Sequence, residues 1–561
     1  MKKICDNIIN KINLNKKHIV LILYVLSILI YDIFFCNGKL FITGNYNFSL
    51  CRIIFYIIFI LVFFKFKNKI FENLDKSFED KFKRILILVY IPLSILAIPA
   101  FVLFSMKYGI ELFAVGTITM LLSGVFLIIV SENLIKNVIV TTFTFGLIFS
   151  CTTDFNHRLD ERKHFMSAFN LSFGKIDYND EYLCDKQLLE IEQIEKFILS
   201  VEKFKGVYKP ELSTDIELDV SSTPTTNSVF LYIPSAIGMA ISRILQGSLL
   251  DMYIVGRIFN LITYMLLVIA IFKLLPYKKN VYYLICTMPL IILLAASYSI
   301  DALSLGLISI FIANVLRIYE KEEINIKDII LLVSSVILLL LAKSMAYIGV
   351  GLIVLILPFK KIIKQNKKHL PIFIAIAAIL IIVLSILLLN INIETDTRSE
   401  NTNSNGQVEF LLSNPFQIIA VFYRHVRDTI LDLGWLANLN PEAFFYEYYK
   451  CVFMIMFIVF IGISVNDESK KFKIKDIIIF LITFAIVYAM TSFALYIGFT
   501  EVGGKYILGY QARYLIPILP LVFMCLNNNL IKIKINCDEK QLMSIIWGGL
   551  TIVDIIGLIL L

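Results

Sequence analysis

Long apolar runs recur from one end of this 561-residue chain to the other. A helix needs about 20 apolar residues to cross a bilayer, because backbone groups in lipid must form hydrogen bonds within their own segment. About fifteen runs meet or approach this length, at residues 18–36, 51–66, 84–105, 110–131, 137–152, 251–275, 281–298, 301–317, 327–342, 345–358, 371–391, 445–465, 476–498, 513–527 and 541–560. The sequence therefore predicts an all-α, polytopic transmembrane helical protein of the cell membrane.

The composition supports this fold class. Hydrophobic residues make up 58% of the chain, charged residues 17%, and the mean hydropathy is +0.80. Soluble domains are roughly half apolar and a quarter charged, so a soluble core could not absorb this many apolar side chains. The chain has 52 basic and 44 acidic residues, and the basic excess lies mainly in short loops between apolar runs. We therefore expect no nucleic-acid partner, and membrane lipid as the surrounding medium.

The basic residues also predict orientation. They are concentrated at the start of the chain and in alternate connections, at residues 2–17, 65–84, 278–279, 360–368 and 470–475. Lys and Arg favour cytoplasmic loops, which predicts a cytoplasmic N-terminus. The alternation holds only if residues 228–247 do not cross fully, so we predict a re-entrant or surface-lying helix there. The intervening connections are predicted to face outward.

Two of these outer connections are long, at about residues 153–227 and 392–442. In the first, Leu188, Ile191, Ile194, Ile198 and Val201 recur at helical spacing beside charged residues. This pattern predicts an amphipathic helix that lies on the membrane surface or packs on the protein's own outer face.

The nine cysteines form no CxxC motif and no Cys/His cluster, so the sequence predicts no metal site and no cofactor. Cys36 and Cys51 lie at the predicted outer ends of the first two spans. They could form a disulfide or serve as small apolar fillers.

Ionisable residues gather where predicted spans reach the outer surface. The segment TTDFNHRLDERKHF follows the span that ends near Cys151 and contains Asp160, Glu161 and His164. Carboxylates at such a boundary can act as general bases, although a helix that meets water also simply solvates its charges.

Further candidates follow along the chain. Tyr232 interrupts an apolar helix in LYIPSAIG, and Arg257 lies at the outer end of a span, where an Arg often extends to lipid phosphate. Asp301, in SYSID, could cap the next helix or belong to a site. Lys343, in AKSMAY, separates two short apolar runs, and a cation at that depth is costly without a partner.

The late segment GYQARYLIPILP places Gln511, Arg513 and Tyr514 at the outer end of a span. An arginine side chain can donate to two phosphate oxygens at once, which suits it to a lipid phosphate.

With these motifs, residues 138–526 resemble the bacterial membrane proteins grouped as domain of unknown function 2142, which are related to the GT-C superfamily of polyprenyl-phosphate-dependent glycosyltransferases. The resemblance is carried by DERKHF, LYIPSAIG, SYSID, AKSMAY and GYQARYLIPILP. It implies a GT-C-like membrane domain over residues 135–561. Residues 1–134 lie outside it and are interpreted as an N-terminal membrane module of four helices.

The resemblance also implies a function, namely transfer of a sugar from a polyprenyl-phosphate donor to a cell-envelope glycan or lipid acceptor on the outer face. Asp160 then takes the role of catalytic base, with Glu161 as the alternative, and His164 orients the base or binds the donor. Candidates for binding the phosphate leaving group are Arg257, Lys343 and Arg513. Tyr232, Asp301, Gln511 and Tyr514 are the remaining candidate substrate-binding residues.

The residues agree with a lipid-linked donor, because the chain contains no P-loop and no GxGxxG motif for a nucleotide sugar. A single direct displacement would invert the anomeric centre. Two other functions remain open: a transporter or flippase of lipid-linked glycan, and a non-catalytic envelope-assembly protein. Transporters usually carry broken-helix sites near the midplane and repeated halves, whereas this chain carries ionisable clusters at span ends.

Overall fold

A computed structural model describes residues 123–153, 160–176, 182–188, 207–218, 229–342, 345–369, 401–432, 472–526 and 538–560, with single gaps at 125, 128 and 217 and a few isolated positions elsewhere. This part of the chain is mostly helical, as the sequence predicts. Three of its helices are long and apolar enough to cross a membrane. Most of the predicted N-terminal module, Lys343, Cys36, Cys51 and the 371–391 span lie outside the described residues.

The helices in chain order are α1 (Leu134–Thr152), α2 (Glu161–Ser172), α3 (Ile233–Ile244), α4 (Leu249–Leu274), α5 (Lys279–Cys286), α6 (Pro289–Ala295), α7 (Asp301–Glu320), α8 (Ile326–Leu341), α9 (Phe359–Gln365), α10 (Ser404–Ser413), α11 (Pro415–Asp428), α12 (Ile474–Gly498), α13 (Leu519–Cys525) and α14 (Glu539–Leu560). Short 3-10 helices cover Val229–Tyr232, Met345–Ile356, Lys367–His369 and Ala512–Ile518.

Helix α4 lies at the centre of the packing and contacts α1, α3 and α7. Its N-terminus is fixed by a capping box in which Ser248 and Asp251 each bind the other's backbone N–H. Helix α3 approaches α4 closely because it carries Gly238, where an added Cβ would lie 2.7 Å from the carbonyl oxygen of Val255. This close approach packs the middle of α3 against α4.

The three long apolar helices differ in their surroundings. Helix α7 is almost fully enclosed by protein, whereas α12 exposes Ile474, Ile478 and Leu481 along its first turns. An exposed row of large apolar side chains on a long helix is suited to contact with lipid. The core of the described region therefore lies around α4 and α7, with α12 at its edge.

Some predicted spans differ from the structure. The run 281–298 is two short helices, α5 and α6, because Pro289 has no N–H to continue the ladder and instead begins α6. The run 513–527 is likewise divided into a 3-10 helix and α13, with Pro517 and Pro520 near the junction. Residues 345–356 form a 3-10 helix.

The region predicted as re-entrant or surface-lying, residues 228–247, forms the 12-residue helix α3 after a 3-10 turn. With the 3-10 turn at about 2 Å and α3 at about 1.5 Å per residue, Val229–Ile244 is about 26 Å long, shorter than the hydrocarbon core of about 30 Å.

The connection 153–227 contains a small β-structure that the all-α prediction missed. Strands Cys184–Asp185 (β1) and Leu212–Ser213 (β2) pair antiparallel. The buried Asp185 carboxylate joins them to their surroundings, since it accepts hydrogen bonds from the Tyr208 hydroxyl at 2.8 Å and from the backbone N–H of Gln187 and Glu211. Most of the predicted amphipathic helix, residues 189–201, lies outside the described residues.

Candidate functional site

Asp160 lies immediately before α2 and has a left-handed backbone, with φ of 61°. Asp is among the few residue types that adopt this conformation without a large cost. Its side chain does not cap α2. Instead, its Oδ2 accepts a hydrogen bond of 3.0 Å from Nη2 of Arg513, and 35% of the side chain remains exposed. Asp160 is therefore an accessible carboxylate held by a guanidinium that lies far away in the sequence.

Arg513 lies in the 3-10 helix Ala512–Ile518, and its side chain is only 2% exposed. Its Nε lies 3.3 Å from Oδ2 of Asp301, the first residue of α7. Nη1 of Arg513 is buried and has no hydrogen-bond partner among the described residues. The guanidinium thus lies buried between two carboxylates.

Glu161, the next residue after Asp160, belongs to a different ion pair. Its two oxygens accept hydrogen bonds from Arg257, at 2.9 Å from Nε and 2.7 Å from Nη2. The Glu161 side chain is 4% exposed and that of Arg257 is fully buried. A third donor, the backbone N–H of Tyr298, lies 3.1 Å from Oε1 of Glu161.

Arg257 also closes the end of α1. Its Nη1 donates to the carbonyl oxygens of Thr153 at 2.7 Å and Ser150 at 3.3 Å, and its guanidinium lies 4.2 Å from the centre of the Tyr253 ring. A side chain enclosed in this way cannot extend to lipid phosphate, which was one interpretation of Arg257. A bidentate buried pair of this kind keeps its charge only because every polar group in it is satisfied.

His164 on α2 and Tyr232 at the start of α3 form a separate contact. Nδ1 of His164 lies 2.7 Å from the Tyr232 hydroxyl, and both side chains are buried. The backbone N–H of His164 donates to the carbonyl of Asp160 one helical turn earlier. The pair thus fixes α2 against the start of α3, close along the chain to Asp160.

The remaining residues of GYQARY have different surroundings. Gln511 is exposed, whereas Tyr514 is partly buried and its backbone carbonyl accepts a hydrogen bond of 2.8 Å from Tyr347. The Tyr514 ring contacts Tyr510 edge-on, with ring centres 5.7 Å apart. These contacts fix the backbone on which Arg513 stands.

Sequence reasoning missed residues that hold the site together. Asn260 and Tyr253 on α4, and Tyr298 before α7, make buried polar contacts with the segments that carry Asp160 and Asp301. The sequence feature that could have identified Asn260 is its position inside an otherwise apolar run, three residues after Arg257. A polar side chain at such a position usually has a partner.

The arrangement combines two chemical capacities. Asp160 can accept a proton, because it is a carboxylate with an exposed edge. Arg513 carries a positive charge that can stabilise an anion bound beside the exposed edge of Asp160. Across the described segments, no group of three or more His, Cys, Asp or Glu side chains is arranged to hold a metal ion.

Comparison with known protein families identifies the family of this chain. Residues 143–522, well over half of the chain, match the model of a family described as "Predicted membrane protein (DUF2142)". No curated protein and no solved structure matches the chain significantly.

Proposed function

This chain belongs to the predicted membrane protein family DUF2142, and from that premise and its charge cluster we propose a membrane glycosyltransferase. It transfers a sugar from a polyprenyl-phosphate donor to a cell-envelope glycan or lipid acceptor on the outer face. The proposal includes the finer topology expected from the sequence, with about fifteen spans, a cytoplasmic N-terminus, a module over residues 1–134 and a GT-C-like domain over 135–561.

One observation supports this function most strongly. Asp160, Asp301 and Arg513 come from three distant segments of the chain and meet within hydrogen-bonding or ion-pair distance. If each charge were only solvated where its own helix meets water, no such convergence would be needed. Charged groups drawn together at the end of apolar helices are typical of a site that handles polar chemistry.

In the proposed reaction, Asp160 acts as the general base. The acceptor hydroxyl oxygen attacks the anomeric carbon as the bond from that carbon to the donor phosphate oxygen breaks. The hydroxyl proton passes to the Asp160 carboxylate, and the bonding electrons leave with polyprenyl phosphate. One displacement inverts the anomeric centre.

Arg513 has the complementary role in this scheme. Negative charge grows on the departing phosphate, and the positive charge of Arg513, next to the exposed edge of Asp160, stabilises it. Lys343 and His164 stay candidates for the donor-binding surface, together with Tyr232, Asp301, Gln511 and Tyr514. Membrane lipid and the envelope acceptor are the proposed partners.

Between the two acidic candidates, geometry favours Asp160 as the base. Both oxygens of Glu161 are already bound by Arg257, and its side chain is almost fully buried. A base must reach the proton that it removes, directly or through one water. We therefore assign Glu161 and Arg257 to positioning rather than to proton transfer or phosphate binding.

The proposal is tested with purified protein in lipid nanodiscs, a panel of radiolabelled polyprenyl-phosphate hexoses and an envelope-lipid extract as acceptor. The wild type is expected to form labelled product, and Asp160→Asn to lose at least about a hundredfold in rate. Equal transfer by wild type, Asp160→Asn and Glu161→Gln would show that neither carboxylate is the base.

The two alternatives predict different results. A transporter or flippase moves labelled lipid across a liposome bilayer without forming a glycosidic bond, whereas an assembly protein does neither and tolerates neutralised Asp160. The position of the ionisable cluster at helix ends, rather than midway along a span, favours the enzyme.

A further inference from the structure

One face of α4 contacts both segments that carry the flanking carboxylates. Tyr253, Gly256, Arg257 and Asn260 follow one another at spacings of three, one and three residues, so they share one side of the helix. We infer that this face is a positioning template that sets the separation of Asp160 and Asp301 across Arg513, with Asn260 as its main positioning residue. The inference rests on the proposed function and adds residues to it.

Asn260 fixes the turn that precedes Asp301. Its buried Nδ2 group lies 3.3, 2.8 and 3.2 Å from the carbonyl oxygens of Ala295, Ser297 and Ser299. One amide group therefore gathers three alternate carbonyls of the segment that runs from the end of α6 to α7. Because Asp301 begins α7 two residues after Ser299, its backbone position depends on this clamp.

Tyr298 joins the same turn to α4 and to α2. Its hydroxyl donates to the carbonyl oxygen of Tyr253 at 2.8 Å, while its backbone N–H donates to Glu161. Its ring meets Phe165 of α2 edge-on, with ring centres 5.0 Å apart. Gly256 provides the space for this ring, since an added Cβ would overlap the Tyr298 hydroxyl.

Arg257 performs the matching task for the other carboxylate. It binds Glu161 at the start of α2 and the last carbonyls of α1, and Asp160 is the residue before Glu161. Arg257 and Asn260 are separated by about 4.5 Å along the helix axis. Arg257 and Asn260 therefore bind the Asp160 and Asp301 segments at neighbouring positions of one helix, which sets the spacing of the two segments.

The test compares Asn260→Leu with Tyr264→Phe in full-length protein. Tyr264 is the matched control, because it is buried on the same helix one turn later and its hydroxyl donates to the carbonyl of Cys286, in a different segment. Two readouts are taken: hydrogen exchange of peptides covering residues 295–303, and kcat and KM for transfer from the polyprenyl-phosphate hexose panel.

Asn260→Leu is expected to raise exchange in residues 295–303 by about tenfold, because the clamped carbonyls are released. It should also lower kcat by about a hundredfold with KM changed less than about threefold, since a shift of about 1 Å in a reacting group has that effect. Tyr264→Phe should leave both readouts unchanged even if the protein melts earlier. Unchanged exchange in Asn260→Leu, or an equal fall of kcat in Tyr264→Phe, would overturn the inference.

A second variant covers the case in which Asn260→Leu does not fold. Gly256→Ala should raise exchange in residues 295–303, because the added Cβ would overlap the hydroxyl and two ring carbons of Tyr298. Unchanged exchange in that variant would contradict the template. If the wild type transfers no sugar from any donor, the proposed function fails, while the exchange data still decide whether the α4 face holds the turn.

Discussion

Two ion pairs made by neighbouring residues have opposite characters. Glu161 and Arg257 are almost completely buried and joined by two hydrogen bonds, whereas Asp160 keeps 35% of its side chain exposed and shares Arg513 with Asp301. The first pair uses its bonding capacity within the protein. The second keeps part of one carboxylate exposed beside a guanidinium that two acids share. Adjacent acids in a sequence can therefore serve structure and chemistry separately.

The largest expected effect comes from neutralising one member of the buried pair, Glu161 and Arg257. Glu161→Gln should destabilise the protein by about 3–5 kcal/mol, because it leaves the Arg257 charge buried without a counter-ion. Chemical unfolding in detergent measures the loss. Replacing both residues, as Glu161→Leu with Arg257→Met, should recover much of the stability. If the single variant were as stable as the wild type, the Arg257 charge would not depend on Glu161 as its buried counter-ion.

Neutralising the exposed acid of the second pair, Asp160, should affect the reaction rather than the fold. We expect Asp160→Asn to lower transfer by about a hundredfold to ten-thousandfold while the free energy of unfolding changes by less than about 1 kcal/mol. Rate assays and unfolding are measured on the same preparation. A large loss of stability with little loss of rate would reverse the roles of the two carboxylates.

Arg513→Lys sharpens the contrast by keeping the charge and removing the planar donor group. Because a lysine cannot bind Asp160, Asp301 and a phosphate oxygen in the same fixed geometry, kcat/KM should fall by about tenfold to a hundredfold. Activity equal to the wild type would show that charge alone is sufficient at this position.

The last prediction concerns His425 on α11. It stacks on Tyr488, meets Tyr510 edge-on, and lies 3.0 Å from the Ser492 hydroxyl. Burial lowers the pKa of His425 to about 4 from its usual value near 6.5. Below pH 6.5 the unfolded chain gains a proton that the folded protein does not take up, so stability should fall towards pH 4 and then level off.

This dependence is measured by thermal unfolding from pH 7.5 to 4. The slope contributed by His425 should disappear in His425→Gln, which keeps a polar group at the same place. An unchanged slope in that variant would assign the pH dependence to other residues.

The membrane-helical class and the family were predictable because they depend on local features, namely apolar length and short motifs. The ionisable candidates at helix ends were also visible, and Asp160, Asp301 and Arg513 do lie together. Which acid pairs with which arginine was not predictable. Asp160 and Arg513 are 353 residues apart, and only the folded packing decides that Glu161 turns inward while Asp160 stays at the edge.

Other features escaped prediction for different physical reasons. The break before Pro289 is a local steric effect that the long apolar run concealed. The role of Asn260 depends on three carbonyls that lie 35 to 39 residues later in the chain, so it follows from contact between helices rather than from any motif.

The left-handed backbone at Asp160 limits how this position can be studied. Asparagine tolerates that conformation and keeps the side-chain shape, whereas most residues with a Cβ are strained there. An alanine scan at residue 160 would mix a backbone penalty with the loss of a carboxylate. Amide replacement alone separates the two, and the difference between the glycine and alanine variants, which both lack the carboxylate, reports the backbone contribution.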